Sequence, residues 1–325
     1  MPTTERSQGA GAARRIFVVT PGFEGALVAE LGELEMLAAR APVTPPPLFS
    51  AQQPGLVNAS DCGAAADRAI DPVFARQQLP DAHEVRGASV AALAEASYAR
   101  VQEAVDLAVG AFTIHAFAPT GAEPGQASRA QLIAHELLAR LQQRRRRAAR
   151  LYRPAEAAAA AFGEVTLIIQ VLLVARNRAW VSATTPGPLP RGGWMVSPWP
   201  GGIAPVVEDR LPPSRAYRKL EEAFLWMADE PQPGQWCVDL GGAPGGWTYT
   251  ALQRGARVIA VDRAALEPPV RGHRALTMVE GNAFTYQPPL ERVPVDWLLS
   301  DVICEPGRAL DQLKRWLQNG WCRRV

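Results

Sequence analysis

Four short apolar runs in the last third of the chain, each closed by an acidic or amide side chain, restrict its fold more than any other feature. They are Trp236 to Leu240, Arg257 to Val261, Leu276 to Val279 and Val295 to Leu299, with helical or loop segments between them. Strands that alternate with helices are βαβ units, and these assemble a parallel sheet with helices on both faces. In such a doubly wound sheet, ligands bind outside the carboxyl ends of the strands. Those ends carry Asp239 with Gly241, then Asp262, Asn282 and Asp301. The first turn, Gly241 to Trp247, is glycine-rich and opens a helix, so the backbone can approach a ligand at the helix N-terminus. Ala243 stands where a dinucleotide fingerprint needs its second glycine, and the turn lacks the GK[ST] of a phosphate loop, which disfavours NAD and ATP. Asp262, about 20 residues beyond the turn, suits the two hydroxyls of a ribose. Asn282 could read an adenine edge. A lone glycine-rich turn is often an empty loop, but four polar strand ends in order point to a nucleoside site.

The rest of the chain has a different pattern. Residues 1–14 are small, polar and aperiodic and are expected to form a flexible tail. Ile16 to Thr20 predicts a strand, Pro21-Gly22 a turn, and Phe23 to Ala39 a helix with Leu27, Leu31, Leu34 and Leu37 at helical spacing. The proline-rich stretch 42–54 is expected to be a loop, with weak strand hints at Leu56-Val57 and Val73 to Ala75. Helices are predicted from Ser89 to Val109 and from Ser128 to about Arg150, with a strand from Ala111 to Ala118 between them. Glu164 to Thr185 reads as two strands around a turn at Arg176-Asn177-Arg178. The sum is an α+β region over 15–190, helices on a small sheet, followed by a linker over 191–212 and the βαβ region over 213–325. Ser214 is placed to cap a helix running to about Ala228.

A length of 325 residues suits two or three folded units, and 48% hydrophobic with 20% charged residues is globular composition. The longest nearly apolar run, Val165 to Ala175, is broken by Thr166 and Gln170 and falls far short of the roughly 18 residues that span a bilayer. No secretory signal is recognisable, so the expected location is the cytoplasm. Cys62, Cys237, Cys304 and Cys322 lack ligand or disulfide spacing, so free thiols and no metal are expected. Net charge is +2, so a nucleic-acid footprint must be local. The local concentration is Arg140, Arg144, Arg145, Arg146, Arg147, Arg150 and Arg153, which can neutralise phosphates or simply lie solvated at a helix end. Trp194 and Trp199 could stack on bases, but burial in a core is the commoner use. Of the 34 basic residues only Lys219 and Lys314 are lysine. An amine can take part in proton transfer where a guanidinium cannot.

Particular segments resemble a known family. Pro213-Ser214-Arg215-Ala216-Tyr217-Arg218-Lys219-Leu220-Glu221-Glu222-Ala223, Val238 to Tyr249 (VDLGGAPGGWTY), Val295-Asp296-Trp297 to Asp301, and Trp316 to Arg323 (WLQNGWCR) are similar to the RlmM family. These are 23S ribosomal RNA cytidine 2'-O-methyltransferases with an FtsJ-like, Rossmann-like class I catalytic domain dependent on S-adenosylmethionine. The resemblance covers residues 213–325. Upstream it is loose, through Thr20 to Glu24, Phe74 to Gln77, and an element order like a THUMP-type, ferredoxin-like RNA-binding domain. It implies cofactor contacts at Ser214, Asp239, Gly241, Ala243, Pro244, Gly245, Gly246, Asp262, Asn282 and Asp301. Lys219 and Asp301 match two members of the family's Lys-Asp-Lys-Glu catalytic set, and Arg144 to Arg147 become the expected RNA contact. Ribosomal RNA is the expected partner of a monomer that needs no membrane and no stable protein partner. Deprotonating a ribose hydroxyl fits a lysine amine steered by a carboxylate.

Three departures qualify this. Asn282 replaces a usual aspartate, and Cys304-Glu305-Pro306 replaces Glu-Lys-Pro. The second catalytic lysine would fall beyond Val325, so the chain reads as truncated, with four strands of seven, Val295 to Leu299 as an open edge, and weak or absent catalysis. Two rival readings remain: a non-catalytic RNA-binding remnant, and a methyltransferase acting on another RNA or a small molecule.

Overall fold

In the computed structural model, which describes residues 13–38, 48–60, 70–189 and 193–325, the chain divides into two units, Met1–Ile203 and Ala204–Val325. The division falls inside the segment expected to be a linker.

The first unit contains, in chain order, β1 (Arg14–Val19), α1 (Glu24–Ala38), β2 (Leu48–Gln53), β3 (Leu56–Ser60), β4 (Ala75–Arg86), α2 (Val90–Leu107), β5 (Ala111–Phe117), α3 (Gln126–Arg144), α4 (Ala155–Ala160), β6 (Val165–Ala175) and β7 (Arg178–Thr184). The strands form one mixed sheet in the order β2-β3-β1-β4-β7-β6-β5. Every pairing in it is antiparallel except β5 with β6. The Ser89 hydroxyl accepts from the Ala92 N–H at 3.1 Å and starts α2. Leu93, Val101 and Val105 of α2 and Ile133, Leu137 and Leu141 of α3 then pack on Ile169 and Val171 of the sheet. Glu24 accepts from the N–H groups of Gly22 at 2.9 Å and Gly55 at 2.7 Å, fastening the start of α1 to the β2–β3 turn.

Several expectations need correction here. The sheet is not small: it has seven strands, because residues 48–53 pair as β2 with β3 instead of looping, and because β4 runs for 12 residues. The sequence hid β4 behind polar residues and Pro80. Leu79 pairs with Ile16 and Ala82 with Arg14, so the Pro80-Asp81 pair is accommodated as a bulge, with Asp81 at φ 48°. The expected tail loses its last residue to β1, which begins at Arg14; residues 1–12 lie outside the described part, as does Cys62. α3 ends at Arg144 rather than Arg150, and a separate 3-10 turn follows over Ala148–Leu151. Trp199 is buried, and Trp194 packs edge-on against Phe162 at 5.2 Å, so both tryptophans serve packing.

The sheet also buries a row of polar side chains. His115, Gln170 and Ser182 are direct cross-strand neighbours on β5, β6 and β7, and all three are almost wholly inaccessible. Neither nitrogen of His115 has a hydrogen-bond partner among the described residues. Burial pushes the imidazole down to about 4.

The second unit contains α5 (Tyr217–Met227), β8 (Trp236–Leu240), α6 (Gly246–Gln253), β9 (Arg257–Asp262), β10 (Leu276–Glu280), β11 (Val295–Ser300), α7 (Pro306–Gln318) and β12 (Cys322–Arg324). Its sheet is entirely parallel, in the order β10-β9-β8-β11-β12. α5 and α6 cover one face through Leu220, Phe224 and Leu252 against Trp297 and Val258. α7 covers the other through Trp316 against Val238 and Leu298. The sheet has five strands, not four, and Val295 to Leu299 is not an open edge: β12 pairs along β11, Val295 opposite Cys322 and Trp297 opposite Arg324. The helix expected from Ser214 begins three residues later, with Ala216 as its N-cap, so Ser214 does not cap it.

Candidate functional site

Chain order reverses at β8, which lies between β9 and β11, and a switch point of this kind opens a crevice at the carboxyl ends of the strands. The structure brings the side chains expected of a site to that crevice. Gly241 follows β8 with φ 79°, and a Cβ there would stand 2.8 Å from Val302 Cγ2, just beyond β11. The first turn therefore crosses close to the end of β11, an approach that only glycine permits. Gly246 meets Ser214 in the same way, since a Cβ on Gly246 would collide with the Ser214 hydroxyl. Ser214 thus lies on the glycine turn, the place left to it once it does not cap α5. Trp247 Nε1 donates to the Ala216 carbonyl at 2.9 Å and holds the start of α5 against the turn.

Two of the strand-end groups are engaged by backbone N–H groups, Asp262 in both the glycine turn after β8 and its own loop, and Asn282 in its own loop. Asp262 Oδ2 accepts from the Ala243 N–H at 3.0 Å and Oδ1 from the Ala264 N–H at 2.9 Å. Asn282 Oδ1 accepts from the Phe284 N–H at 3.0 Å. Each carboxylate or amide oxygen retains a second lone pair for a ligand. Asp262 and Asn282 line one cleft of about 230 Å³, together with Gly241, Phe284, Val302 and Arg308. Sequence reasoning missed Arg308 and Phe284. The Arg308 guanidinium lies 3.7 Å from the centroid of the Phe284 ring, a contact between α7 and the loop after β10 that no local spacing announces.

Asp239 is the buried member. The Thr248 hydroxyl donates to its Oδ2 at 2.6 Å, while Oδ1 is buried without a partner among the described residues. Burial, with Asp301 and Asp262 adding repulsion, pushes its carboxyl up to about 6. An orphaned acceptor beneath a glycine turn fits a ligand that brings a donor.

Lys219 on α5 and Asp301 after β11 meet although 82 residues separate them: Nζ donates to Oδ1 at 2.7 Å and to Oδ2 at 3.0 Å. The lysine side chain is 64% exposed, so the pair is open to solvent and to a substrate. Glu222, one turn along α5, is not its partner. A lysine held by a carboxylate at the carboxyl end of a strand can position a hydroxyl and, as the free amine, take its proton.

The arginines of the first unit divide into two sets. Arg140 pairs with Glu95 and Glu136, Arg144 with Glu95, and Arg145 with Asp106. Arg146, Arg147 and Arg150 have no carboxylate partner among the described residues. Cys237 and Cys322 are buried free thiols, and Cys304 is partly exposed. Among the described residues no helix is long and apolar enough to cross a membrane.

Comparison with known proteins bears on the second unit above all. Residues 212–318 match the family model of the FtsJ-like methyltransferases. The ribosomal RNA large subunit methyltransferase M of Thauera aminoaromatica is 35% identical over 162 residues, 48% of this chain and 42% of that protein. The protein of the same description from Alkalilimnicola ehrlichii is 41% identical over 134 residues, 39% of this chain and 36% of that one. The chain thus spans about two fifths of the length of the curated relatives it matches. Among solved structures, a protein of Listeria monocytogenes described as a predicted N6-adenine-specific DNA methylase aligns over 94% of this chain and 84% of its own, at 12% identity and a TM-score of 0.36.

Proposed function

We propose, for a chain whose second unit is an FtsJ-like methyltransferase domain similar to those of RlmM proteins, that it takes part in S-adenosylmethionine-dependent 2'-O-methylation of a cytidine in large-subunit ribosomal RNA. The observation that carries this reading is the Lys219–Asp301 pair, 2.7 Å long, at the carboxyl end of β11. A nucleoside cleft alone would suit many ligands. An exposed amine held by a carboxylate beside that cleft suits removal of a proton from an alcohol.

The residues present fit the cofactor. The orphaned Asp239 Oδ1 and the turn through Gly241, Ala243, Pro244, Gly245 and Gly246, backed by Ser214, would receive its amino-acid end. Asp262 would accept from its ribose hydroxyls, and Asn282 would meet its adenine. When bound, the cofactor supplies a methyl group made electrophilic by an adjacent sulfonium. Lys219 Nζ, in its free-amine form, takes the proton of the ribose hydroxyl, and Asp301 keeps that nitrogen at the strand end by accepting from it. Such positioning turns a two-body encounter into a local step. We assign RNA contact to Arg144 to Arg147, with Arg146 and Arg147 carrying most of it, because Arg144 and Arg145 are already committed to carboxylates.

Calorimetric titration with S-adenosylhomocysteine tests the reading. Micromolar binding that Asp262→Ala weakens is the expected result. A folded chain that binds no S-adenosylhomocysteine would favour an RNA-binding protein without transferase chemistry.

A further inference from the structure

A cleft of about 430 Å³ lies along β5 in the first unit, far in sequence from every residue assigned to the methyltransferase site. β5 ends the seven-stranded sheet, so one side of its backbone has no neighbouring strand. The groups on that side are satisfied one by one. The Phe112 carbonyl accepts from the Arg153 N–H at 2.8 Å, and the Ala116 carbonyl accepts from the Gln131 side-chain amide at 2.6 Å. Alternate residues of a parallel strand direct their backbone groups to the same side. Ile114, midway between those two, therefore turns its N–H and carbonyl toward the cleft, and neither has a partner on that side among the described residues.

The cleft wall is apolar, made by Ile114, Leu138, Tyr152 and Ala155, and its rim is polar, with Gln131, His135 and one carboxylate, Glu156. Leu132, also on the rim, is 57% exposed. An apolar slot with an aromatic side and an open backbone donor–acceptor pair offers what an unstacked base uses: face contact and edge hydrogen bonds. A peptide strand could also pair with a sheet edge. The charge beside the slot selects between them. Arg146, Arg147 and Arg150 lead into Tyr152 with no carboxylate partner among the described residues, and Arg153 follows it, its guanidinium donating to the carbonyls of Arg150 at 3.3 Å and Tyr152 at 3.0 Å. Four cations that no carboxylate pairs with outweigh the single Glu156 on the rim, and that balance suits a polyanion.

We propose that the outer edge of β5, with α3 and Tyr152, is a pocket for one unstacked base of single-stranded RNA, whose phosphates follow Arg146, Arg147, Arg150 and Arg153. The proposal rests on the reading of this chain as RNA-binding and adds where a base enters and which strand state is selected. It makes the first unit a reader of unpaired nucleotides rather than a general basic surface.

The test uses the full chain and a fluorescently labelled pyrimidine octaribonucleotide, measured by anisotropy beside a duplex of equal length. Leu132→Glu puts a negative charge on the rim at an exposed position. Leu290→Glu makes the same change at an exposed position of the second unit, outside the cleft. The expected result is that the single strand binds more tightly than the duplex, that Leu132→Glu weakens it at least about tenfold, and that Leu290→Glu changes it by less than about threefold. An octamer carrying 5-iodouridine should photo-crosslink to Tyr152. Wild-type binding that Leu132→Glu leaves unaltered, equal affinity for the duplex, or a crosslink elsewhere overturns the pocket while the RNA reading stands. A wild-type chain that binds neither RNA overturns both.

Discussion

Both units bury a titratable group inside a sheet, and they do so at opposite places. In the mixed sheet, His115 sits in the middle of β5 among Gln170 and Ser182, sealed under packing that gives its ring no partner. In the parallel sheet, Asp239 sits one residue before the end of β8, with one oxygen satisfied by Thr248 and the other buried without a partner among the described residues. Burial acts on both and drives them toward neutrality, the imidazole down to about 4 and the carboxyl up to about 6. A polar group in mid-strand can only be a cost or part of an internal network. A polar group at a strand end can be completed by a ligand, so the same physics that strains the first unit prepares a site in the second.

The largest expected effect lies at the strand ends. Lys219→Ala, placed in a chain extended to the length of its curated relatives, should lower methyl transfer at least about a hundredfold while S-adenosylhomocysteine affinity stays within about twofold; single-turnover rates beside calorimetry separate the two, and unchanged turnover would remove Lys219 from the chemistry. Next comes acid. His115 has a folded value below its unfolded one, so the stability tied to its neutrality is present above about 6.5 and is lost as pH falls toward about 4, a change on the order of 2–4 kcal/mol. Asp239 has a folded value above its unfolded one, so its contribution runs the other way and improves as pH falls below about 6. Hydrogen exchange at pH 7 and pH 5 should therefore show the first unit loosening while the second holds, and His115→Leu should flatten that difference. Parallel loosening of both units would break the contrast. Asp262→Ala should weaken S-adenosylhomocysteine by about 1–3 kcal/mol through lost hydrogen bonds to a charged acceptor, read by the same calorimetry; equal affinity would mean that the ribose lies elsewhere. The smallest effect is at the surface: Glu95→Gln releases Arg144, while Arg140 keeps Glu136, and should tighten RNA binding by no more than about threefold at low salt, fading as salt rises. A loss of affinity would show that Glu95 positions those arginines rather than occupying them.

The two units also differed in how much their sequences disclosed. β8, β9 and β11 were legible because a parallel strand buried on both faces is a nearly continuous apolar run, and β10, a largely exposed edge strand, because of its short run Leu276 to Val279. β12 was not, since three residues reading Cys-Arg-Arg form a strand only because β11 offers them a ladder. β4 was lost for a similar reason: Gln77, Gln78 and His83 break any alternation, and tertiary partners such as the Ser197 N–H, donated to Gln77 at 2.8 Å, satisfy what the pattern could not forecast. The positions of Asp239, Asp262, Asn282 and Asp301 at strand ends followed from the pattern. The meeting of Lys219 with Asp301 followed only from resemblance, because a contact across 82 residues leaves no local mark. Arg308 over Phe284 left none either.

The scarcity of amines has a practical consequence. With Lys219 and Lys314 as the only lysines, a chain whose lysines carry carbon-13 at Cε alone has two resonances to assign, and one of them is the carbon bonded to the nitrogen held by Asp301. That signal is an internal gauge: its shift with pH or added nucleoside reports on the ion pair directly, in a molecule where arginine has silenced almost every other amine.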